Sequence, residues 1–169
     1  MSSASLAAHL RDILILPFSV TVIIPYFIHD SQDDRIPETI FLKILGLMIG
    51  LAGLFLFSYT VFLFKNIGKG TLAPWSEKQK LVVVGPYRYC RNPMISGVLF
   101  ILIGEALILH SLPILIWAGC FFVINTIYFL ISEEPALERK FGDDYKLYKK
   151  HVSRWLPRIT PYHQNSSAA

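Results

Sequence analysis

The chain has 169 residues, the usual length of a single domain. Hydrophobic residues make up 53% of it and charged residues 17%, and the mean hydropathy is +0.48, whereas a soluble domain carries about 25% charged residues. This composition excludes a disordered chain and a disulfide-rich mini-protein, and it argues against a soluble enzyme. Cys90 and Cys120 form no CxxC pair, so neither a zinc site nor a disulfide framework is indicated. We therefore expect one integral membrane domain over residues 1–169.

Four apolar stretches predict membrane-spanning helices, at residues 13–28, 40–64, 94–109 and 112–131. A spanning helix needs about 20 residues, which the second and fourth stretches reach and the other two barely approach. Pro17 and Pro25 interrupt the first stretch, and no small-residue cleavage site follows it, so we interpret it as a kinked span. The predicted fold class is an all-α helical bundle with about four transmembrane helices and short amphipathic C-terminal helices.

The connecting segments differ in charge. Four acidic residues face a single Arg35 between the first two spans, whereas loop 65–93 carries six Lys and Arg against Glu77. The tail, residues 132–169, carries seven more Lys and Arg. Because positively charged segments stay on the cytoplasmic side, we expect a multi-pass protein with both termini, the basic loop and the tail in the cytoplasm.

The tail contains an apolar stripe whose members recur at helical spacings of three and four residues. They are Leu137, Phe141, Tyr145, Tyr148, Val152 and Trp155. Gly142 followed by Asp143 indicates a helix stop and a new start, so two short helices are predicted. The stripe is compatible with an amphipathic helix on anionic headgroups, and equally with a segment that closes over a site at the cytoplasmic ends of the spans.

The glycines and the glutamate inside the spans call for different interpretations. Gly46, Gly50 and Gly53 superficially resemble a nucleotide loop, but they lie in apolar helix and predict close helix packing, within or between chains. Glu105 is a membrane-embedded carboxylate and hence a functional candidate, although it lies near the outer end of its span. The histidines show no metal-binding spacing, so we expect no metal, and we expect no nucleic acid partner.

The stretch around residues 85–94 predicts how the third span begins. Gly85-Pro86 forces a turn, Asn92 is a helix N-cap residue, and Pro93 suits the first helical position. The unpaired N–H groups and positive dipole of such a helix start attract a carboxylate or a phosphate.

Two glutamates stand at the end of the fourth span. Because neighbouring antiparallel spans end together, Glu133 and Glu134 are expected near Asn92. The two glutamate carboxylates could bind an ammonium group or ribose hydroxyls of a ligand, while the helix start binds the carboxylate of the same ligand. A zwitterionic cofactor with a ribose has all of these groups. A structural alternative carries equal weight: the glutamates exchange salt bridges with Arg88 and Arg91.

The motifs resemble those of the isoprenylcysteine carboxyl methyltransferase and phospholipid methyltransferase superfamily of membrane enzymes. The similar segments, in chain order, are residues 70–74 (GTLAP), 81–94 (LVVVGPYRYCRNPM), Glu133 and Glu134, Leu137, 141–145 (FGDDY), Tyr148 and 152–157 (VSRWLP). The joint pattern is specific, whereas each piece alone is weak.

The resemblance implies S-adenosylmethionine as cofactor, with S-adenosylhomocysteine as product, bound without a Rossmann sheet between the cytoplasmic ends of the last two spans and the tail. It also implies methyl transfer to an oxygen or nitrogen of a lipid-like or small hydrophobic acceptor drawn from the bilayer. The positions that match cofactor-contacting positions are Gln79, Lys80, Leu81, Val82, Tyr87, Asn92, Pro93, Met94, Ile95, Glu133 and Glu134.

Two departures from the family pattern bear on the acceptor. The family's Arg-His-Pro is here Arg91-Asn92-Pro93, and the arginine of the prenylcysteine enzymes, four residues before the first glutamate, is here Phe129. The second departure argues against a carboxylate-bearing prenylcysteine. We place Phe129 and Tyr128 in the acceptor's apolar lining. If the acceptor must first lose a proton, the candidate catalytic bases are Glu133, Glu134 and Tyr87.

Two other functions fit part of the sequence. Membrane sterol and steroid reductases share a related C-terminal plan but use NADPH, and the glutamate pair beside Gly85-Pro86-Tyr87 favours the methyltransferase. A scaffold or transporter subunit without chemistry would explain the spans and basic loops. It would not explain a polar cluster at one end of the last two spans.

Overall fold

The computed structural model describes residues 17–29, 35–67, 81 and 83–163, and every regular element among them is helical. The chain order is a π turn (Ser19–Ile23), α1 (Ile24–Ile28), α2 (Ile40–Ile67), a 3-10 turn (Gly85–Arg88), α3 (Pro93–Ile108), α4 (Leu112–Tyr128), a second π turn (Phe129–Glu133) and α5 (Glu134–His151). The predicted all-α class is confirmed for these residues.

The helices run between two ends of the bundle, which differ in character. Residues 109–111 join α3 to α4 in a tight hairpin, where His110 adopts a left-handed φ of 51°. We name this the hairpin end. At the opposite end α3 begins and α5 follows α4, together with residues 152–163, which we name the tail segment. This end of the bundle is called the tail end below.

Glycines allow the backbones of α2 and α3 to lie against each other. A Cβ atom added at Gly46 would lie 2.8 Å from the Gly104 carbonyl oxygen, and one at Gly53 would lie 2.7 Å from that of Gly97. Real Cβ contacts are never that short, so both positions require glycine. The predicted close packing is confirmed, and it takes place within the chain. A nucleotide loop is therefore not the role of these glycines.

The core of the bundle lies between α3, α4 and the N-terminal helical turns. Val98 and Leu102 of α3 pack against Ala118 and Phe121 of α4, together with Val20 of the first π turn. The indole N–H of Trp117 donates to the Val20 carbonyl oxygen at 3.1 Å. The N-terminal segment is thereby fixed to α4 by one apolar and one polar contact.

Both π turns stand directly before a proline. The Ile24 N–H bonds to the Ser19 carbonyl before Pro25, and the Glu134 N–H bonds to the Phe129 carbonyl before Pro135. A proline inside a helix lacks the N–H donor and crowds the carbonyl of the preceding turn, and local widening relieves that conflict. In the first predicted span, residues 17–28 are helical with a π turn before Pro25, and residues 13–16 lie outside the described residues.

The predicted end of the fourth span at residue 131 is not a helix end. The helix of α4 continues through the π turn into α5, because the turn at Phe129–Glu133 keeps helical φ and ψ values at both flanks. The interruption comes at Gly142, whose φ of 54° and ψ of −129° are non-helical. The prediction of a break at Gly142 is therefore confirmed, whereas a separate start for the first tail helix is wrong.

Two helical stretches among the described residues are long and apolar enough to cross a membrane, Ile40–Leu63 and Leu112–His151. Ser19–Ile28 and Pro93–Ile108 are shorter apolar helices. Large apolar side chains cover the outside of the bundle, including Phe41 and Phe55, which are 70% and 72% exposed. Soluble monomers rarely leave such continuous apolar surface in water, so this surface suits contact with lipid.

Candidate functional site at the tail end

The turn before α3 follows the predicted pattern except for one side chain. Gly85 takes a left-handed φ of 54°, the 3-10 turn follows, and α3 begins at Pro93 directly after Asn92. Asn92 occupies the N-cap position, but its side chain makes no capping hydrogen bond. The expectation that its side chain caps the helix is therefore wrong. The Asn92 carbonyl instead accepts hydrogen bonds from the backbone N–H and the hydroxyl of Ser96, each at 3.1 Å.

The tail segment lies along this turn and is joined to it by backbone hydrogen bonds. The N–H groups of Arg91 and Asn92 donate to the carbonyls of Ser153 and Arg154 at 3.0 and 3.3 Å. Further along, Arg158 donates its N–H to the Tyr89 carbonyl at 2.9 Å. These bonds confirm one of the two compatible interpretations of the tail: the tail segment closes over the start of α3.

The far end of the tail segment is held by Arg88. The Tyr162 N–H donates to the Arg88 carbonyl at 2.9 Å, and the Arg88 guanidinium donates back to the Tyr162 carbonyl at 2.8 Å. The guanidinium also contacts the ring nitrogens of His163. Arg88 therefore serves the tail, and not a salt bridge to the glutamates as the structural alternative proposed.

The apolar stripe forms a small core at the tail end. Tyr145, Tyr148, Val152 and Tyr162 are buried together, with Leu81, Val83, Leu137 and Phe141 packed around them. The remaining stripe residue, Trp155, packs its ring against Phe122 of α4 and Phe129 of the second π turn, at centroid distances of 5.0 and 6.0 Å. Leu81, a predicted cofactor position, thus lies on this core, whereas Gln79, Lys80 and Val82 lie outside the described residues.

Tyr87 is tied into the same core through its backbone. The Tyr148 hydroxyl donates to the Tyr87 carbonyl at 2.6 Å, and both side chains are buried. Burial raises the pKa of the Tyr87 phenol well above its usual range, and the nearby charge of Glu133 raises it further. A phenol that holds its proton this firmly is a poor base near neutral pH, which disfavours one of the three base candidates.

Glu134 lies in a buried cluster of ion pairs that joins three segments. Its Oε1 accepts from the Arg91 guanidinium at 2.7 Å and from Arg154 Nε at 2.8 Å, and Lys149 Nζ lies 3.2 Å from Oε2. The side chains of Glu134 and Arg91 are 5% and 10% exposed. Arg91 precedes α3, Glu134 begins α5, and Arg154 belongs to the tail segment, so one carboxylate connects all three. We name these four residues the ion cluster.

The charge of Glu134 is stabilised by its partners. Burial by itself would raise the pKa of this carboxyl, but the hydrogen bond from Arg154, the charge of Arg91 and the hydrogen bond from Lys149 together lower it. An ionised, strongly paired carboxylate accepts a proton reluctantly. The structural alternative of a salt bridge to Arg91 is thereby confirmed for Glu134.

Glu133 occupies a different environment from its neighbour. It ends the π turn, is half-buried, and is close enough to raise the pKa values of Tyr87 and Tyr145. Those tyrosines come from the 3-10 turn and α5. The structure thus brings predicted residues from three segments to one place around Glu133.

The first turn of α3 contains three further predicted positions, Pro93, Met94 and Ile95. Pro93 is fully buried, and Ile95 packs against the bundle core. Glu105, by contrast, lies at the other end of α3, about 18 Å away at the rise of an α-helix. It therefore belongs to the hairpin end and not to this site.

An apolar cavity of about 460 Å³ adjoins the site, between α2, α3, the 3-10 turn and the tail segment. Its lining residues are Leu56, Tyr59, Gly85, Pro86, Tyr89, Cys90, Pro93, Ser96, Phe100, Trp155 and Pro157. Tyr128 and Phe129, the predicted acceptor positions, are not among them; Phe129 packs behind Trp155, one of the lining residues. We name this space the α2–α3 cavity.

Sequence reasoning anticipated the Arg91–Glu134 pair, but it missed the two further partners of Glu134 and the α2–α3 cavity. Lys149 and Arg154 were recognised as charged residues off the apolar stripe, and a spacing of 15 and 20 residues from Glu134 gave no reason to pair them. Among the described residues, no group of three or more His, Cys, Asp and Glu side chains could hold a metal ion. The buried Cys90 thiol donates to the Arg154 carbonyl at 3.1 Å, and burial raises its pKa, so it is not poised as a nucleophile.

Comparison with known proteins gives a family for this arrangement. Residues 41–144, more than half of the chain, match the phospholipid methyltransferase family. A protein of Haemophilus influenzae, described as uncharacterised, is 46% identical over 44 residues, which are 25% of this chain and 70% of that protein. No solved structure matches the chain. The family match covers α2, α3, α4, the site residues on them and the glutamate pair, and the chain belongs to the phospholipid methyltransferase family of membrane methyltransferases.

Proposed function

We propose that the protein transfers a methyl group from S-adenosylmethionine to a lipid-like or hydrophobic acceptor at the cytoplasmic face of a membrane. One observation carries the proposal: the Arg91–Glu134 ion pair at 2.7 Å holds the start of α3 beside the π turn that bears Glu133, under the tail segment. The start of α3 and the glutamate pair, which both resemble cofactor-contacting positions, are thereby neighbours, although Arg91 and Glu134 are 43 residues apart in the chain.

The residues at the tail end suit a zwitterionic nucleoside. The Asn92 side chain is not used as a cap, and the N–H groups of Met94 and Ile95 belong to the first turn of α3, where helical donors lack intrahelical partners. These groups would hold a carboxylate. The carboxylate of Glu133 would hold an ammonium group or ribose hydroxyls, while Glu134 keeps the three segments together.

The bound cofactor supplies a methyl group already activated by its sulfonium. The contribution of the chain is therefore orientation of the two reactants and exclusion of water, which can lower a barrier by about 7–11 kcal/mol. The tail segment is suited to that role, because its backbone is bonded across the start of α3 and Trp155 packs against the long helix. Glu134 acts through this arrangement as a positioning residue.

The acceptor decides whether a base is needed. A carboxylate attacks as it stands, whereas an amine, with a pKa of about 10 by analogy with lysine, must first lose a proton. The raised pKa of Tyr87 and the paired state of Glu134 leave Glu133 as the strongest of the three candidates. The acceptor roles of Tyr128 and Phe129 remain predictions.

We also propose that the four long apolar stretches all cross the membrane, with both termini in the cytoplasm. The exposed apolar surface of the bundle and the basic character of the tail end support this topology. The tail end then faces the compartment that contains the cofactor.

The test is ligand-induced thermal stabilisation of the purified protein in detergent. S-adenosylhomocysteine should raise the melting temperature and NADPH should not, because a ligand at a hundred times its Kd stabilises the folded state by about 2.7 kcal/mol. Stabilisation by NADPH alone would favour a reductase. No stabilisation by either ligand would favour a role without chemistry.

A further inference from the structure

The α2–α3 cavity is distinctive because no lining residue carries a charge. Its two small polar side chains are already engaged with backbone: the Ser96 hydroxyl donates to the Asn92 carbonyl, and the Cys90 thiol donates to the Arg154 carbonyl. A charged ligand would lose its hydration there without a compensating partner. The lining therefore selects an uncharged, largely apolar occupant.

The position of the cavity connects the lipid-facing surface to the proposed cofactor site. Tyr59 of α2 and Phe100 of α3 are each 40% exposed, so the wall continues onto the apolar outside of the bundle. At the other side the wall includes Pro93 and Ser96, in the first turn of α3. A hydrocarbon chain entering from the membrane would end beside Pro93 and Ser96.

The size of the cavity limits what it can hold. Its 460 Å³ lies within the range of about 300–1,000 Å³ for small-molecule pockets. At about 30 Å³ for a group the size of a water molecule, it accommodates roughly fifteen such groups. That is room for one hydrocarbon chain of ordinary membrane-lipid length.

We propose that the α2–α3 cavity binds the single uncharged hydrocarbon chain of the methyl acceptor, with the acceptor's reactive group at the start of α3. The acceptor is then an amphiphile whose hydrocarbon chain leaves the membrane between α2 and α3. The sequence had instead suggested a place beside Tyr128 and Phe129. This inference rests on the proposed methyltransferase function, since the cofactor site defines where the inner end of the acceptor's hydrocarbon chain lies.

The test uses a substitution that fills the cavity and a matched one that does not. Ser96→Leu adds a branched side chain to the wall, whereas Ser58→Leu makes the same change on an exposed position of α2. The probe is a long-chain alcohol with a photoreactive diazirine near its chain end, titrated into wild type and both variants in detergent. Labelled peptides are mapped by mass spectrometry.

We expect labelling of wild type in residues 85–100 and 155–157. Ser96→Leu should raise the concentration for half-labelling about tenfold, because the larger side chain takes up space that the probe's hydrocarbon chain would otherwise fill. Ser58→Leu should leave it unchanged. Equal labelling of the two variants, or labelling confined to the exposed face of α2, would overturn the proposal.

A second measurement tests whether the occupant of the cavity is the methyl acceptor or a lipid that is bound but not methylated. Methyl-labelled S-adenosylmethionine is incubated with each variant and total membrane lipid extract, and incorporated label is counted. Ser96→Leu should lower incorporation about tenfold relative to Ser58→Leu at limiting lipid, matching its effect on the probe. A probe shift without this loss would contradict an acceptor role for the cavity. No incorporation by wild type would contradict the proposed function itself, a result distinguishable from either variant's behaviour.

Discussion

The interface between α2 and α3 and the tail end of the bundle are held together by different forces. Along α2 and α3, glycines bring two apolar backbones into contact, and no charge takes part in the contacts of Gly46, Gly53, Gly97 and Gly104. At the tail end, a buried carboxylate with three cationic partners connects segments that are distant in sequence. The first arrangement depends on shape and the second on ionisation. Substitution and pH should therefore affect the two regions in different ways.

The largest expected effect is on the α2–α3 contact. In Gly104→Leu, the new Cβ would meet the Gly46 carbonyl oxygen and the Gly50 backbone at 2.7 Å, and backbone cannot yield as a side chain can. Overpacking of this kind costs about 3 kcal/mol, so we expect a lower melting temperature in detergent. Gly119→Leu is the matched control, since a Cβ there meets nothing within 4 Å. Equal melting temperatures for the two variants would show that α2 and α3 do not approach this closely.

The ion cluster should show the next largest effect. Glu134→Gln leaves Arg91 and Arg154 without their shared counter-charge in a buried place, which costs about 2 kcal/mol. Glu138→Gln removes the more exposed partner of Lys149 and serves as the control, since such pairs contribute about 0–1 kcal/mol. Both are measured by thermal unfolding. Indistinguishable melting temperatures would mean that Glu134 is not the residue that joins the three segments.

Acid should weaken the tail end through the same carboxylate. The folded-state pKa of Glu134 is lowered from its usual 4.5, so its contribution is present above pH 4.5 and is lost as the pH falls through the lowered value. Wild type should therefore lose more stability than Glu134→Gln on acidification below pH 4.5. Parallel pH profiles for the two proteins would remove Glu134 as the cause.

The smallest of these effects concerns one hydrogen bond. Tyr148→Phe removes the donor to the Tyr87 carbonyl, a buried bond of 2.6 Å, at a cost of about 1 kcal/mol. Tyr26→Phe is the control, because Tyr26 is 78% exposed. Hydrogen exchange of the backbone at residues 85–92 should rise in Tyr148→Phe alone. Unchanged exchange there would indicate that the bond does not hold the turn.

The sequence predicted those features that depend on local pattern. Continuous apolar stretches located the spans, the glycines in α2 indicated close packing, and Asn92-Pro93 predicted the start of α3. The stop at Gly142 followed from the need for a positive φ. Each of these needs only neighbouring residues to be interpreted.

The features that the sequence did not predict depend on contacts between segments that are distant in the chain. The Asn92 side chain makes no capping hydrogen bond, and the Asn92 N–H bonds to the distant tail segment, which no local rule describes. Glu133 and Glu134 look equivalent in the chain, yet Glu134 alone forms the ion cluster with Arg91. The α2–α3 cavity is lined by four separate segments, so no spacing within one of them could reveal it.

Calorimetric titration with S-adenosylhomocysteine tests the central proposal most directly, on wild type and on Glu133→Gln. Wild type should bind the nucleoside, and Glu133→Gln should bind it about tenfold to a hundredfold more weakly, since a hydrogen bond to a charged group contributes about 1.5–3 kcal/mol. The variant should remain folded in detergent without ligand. Equal affinity in the two proteins, or no binding by wild type, would contradict a cofactor site at the tail end.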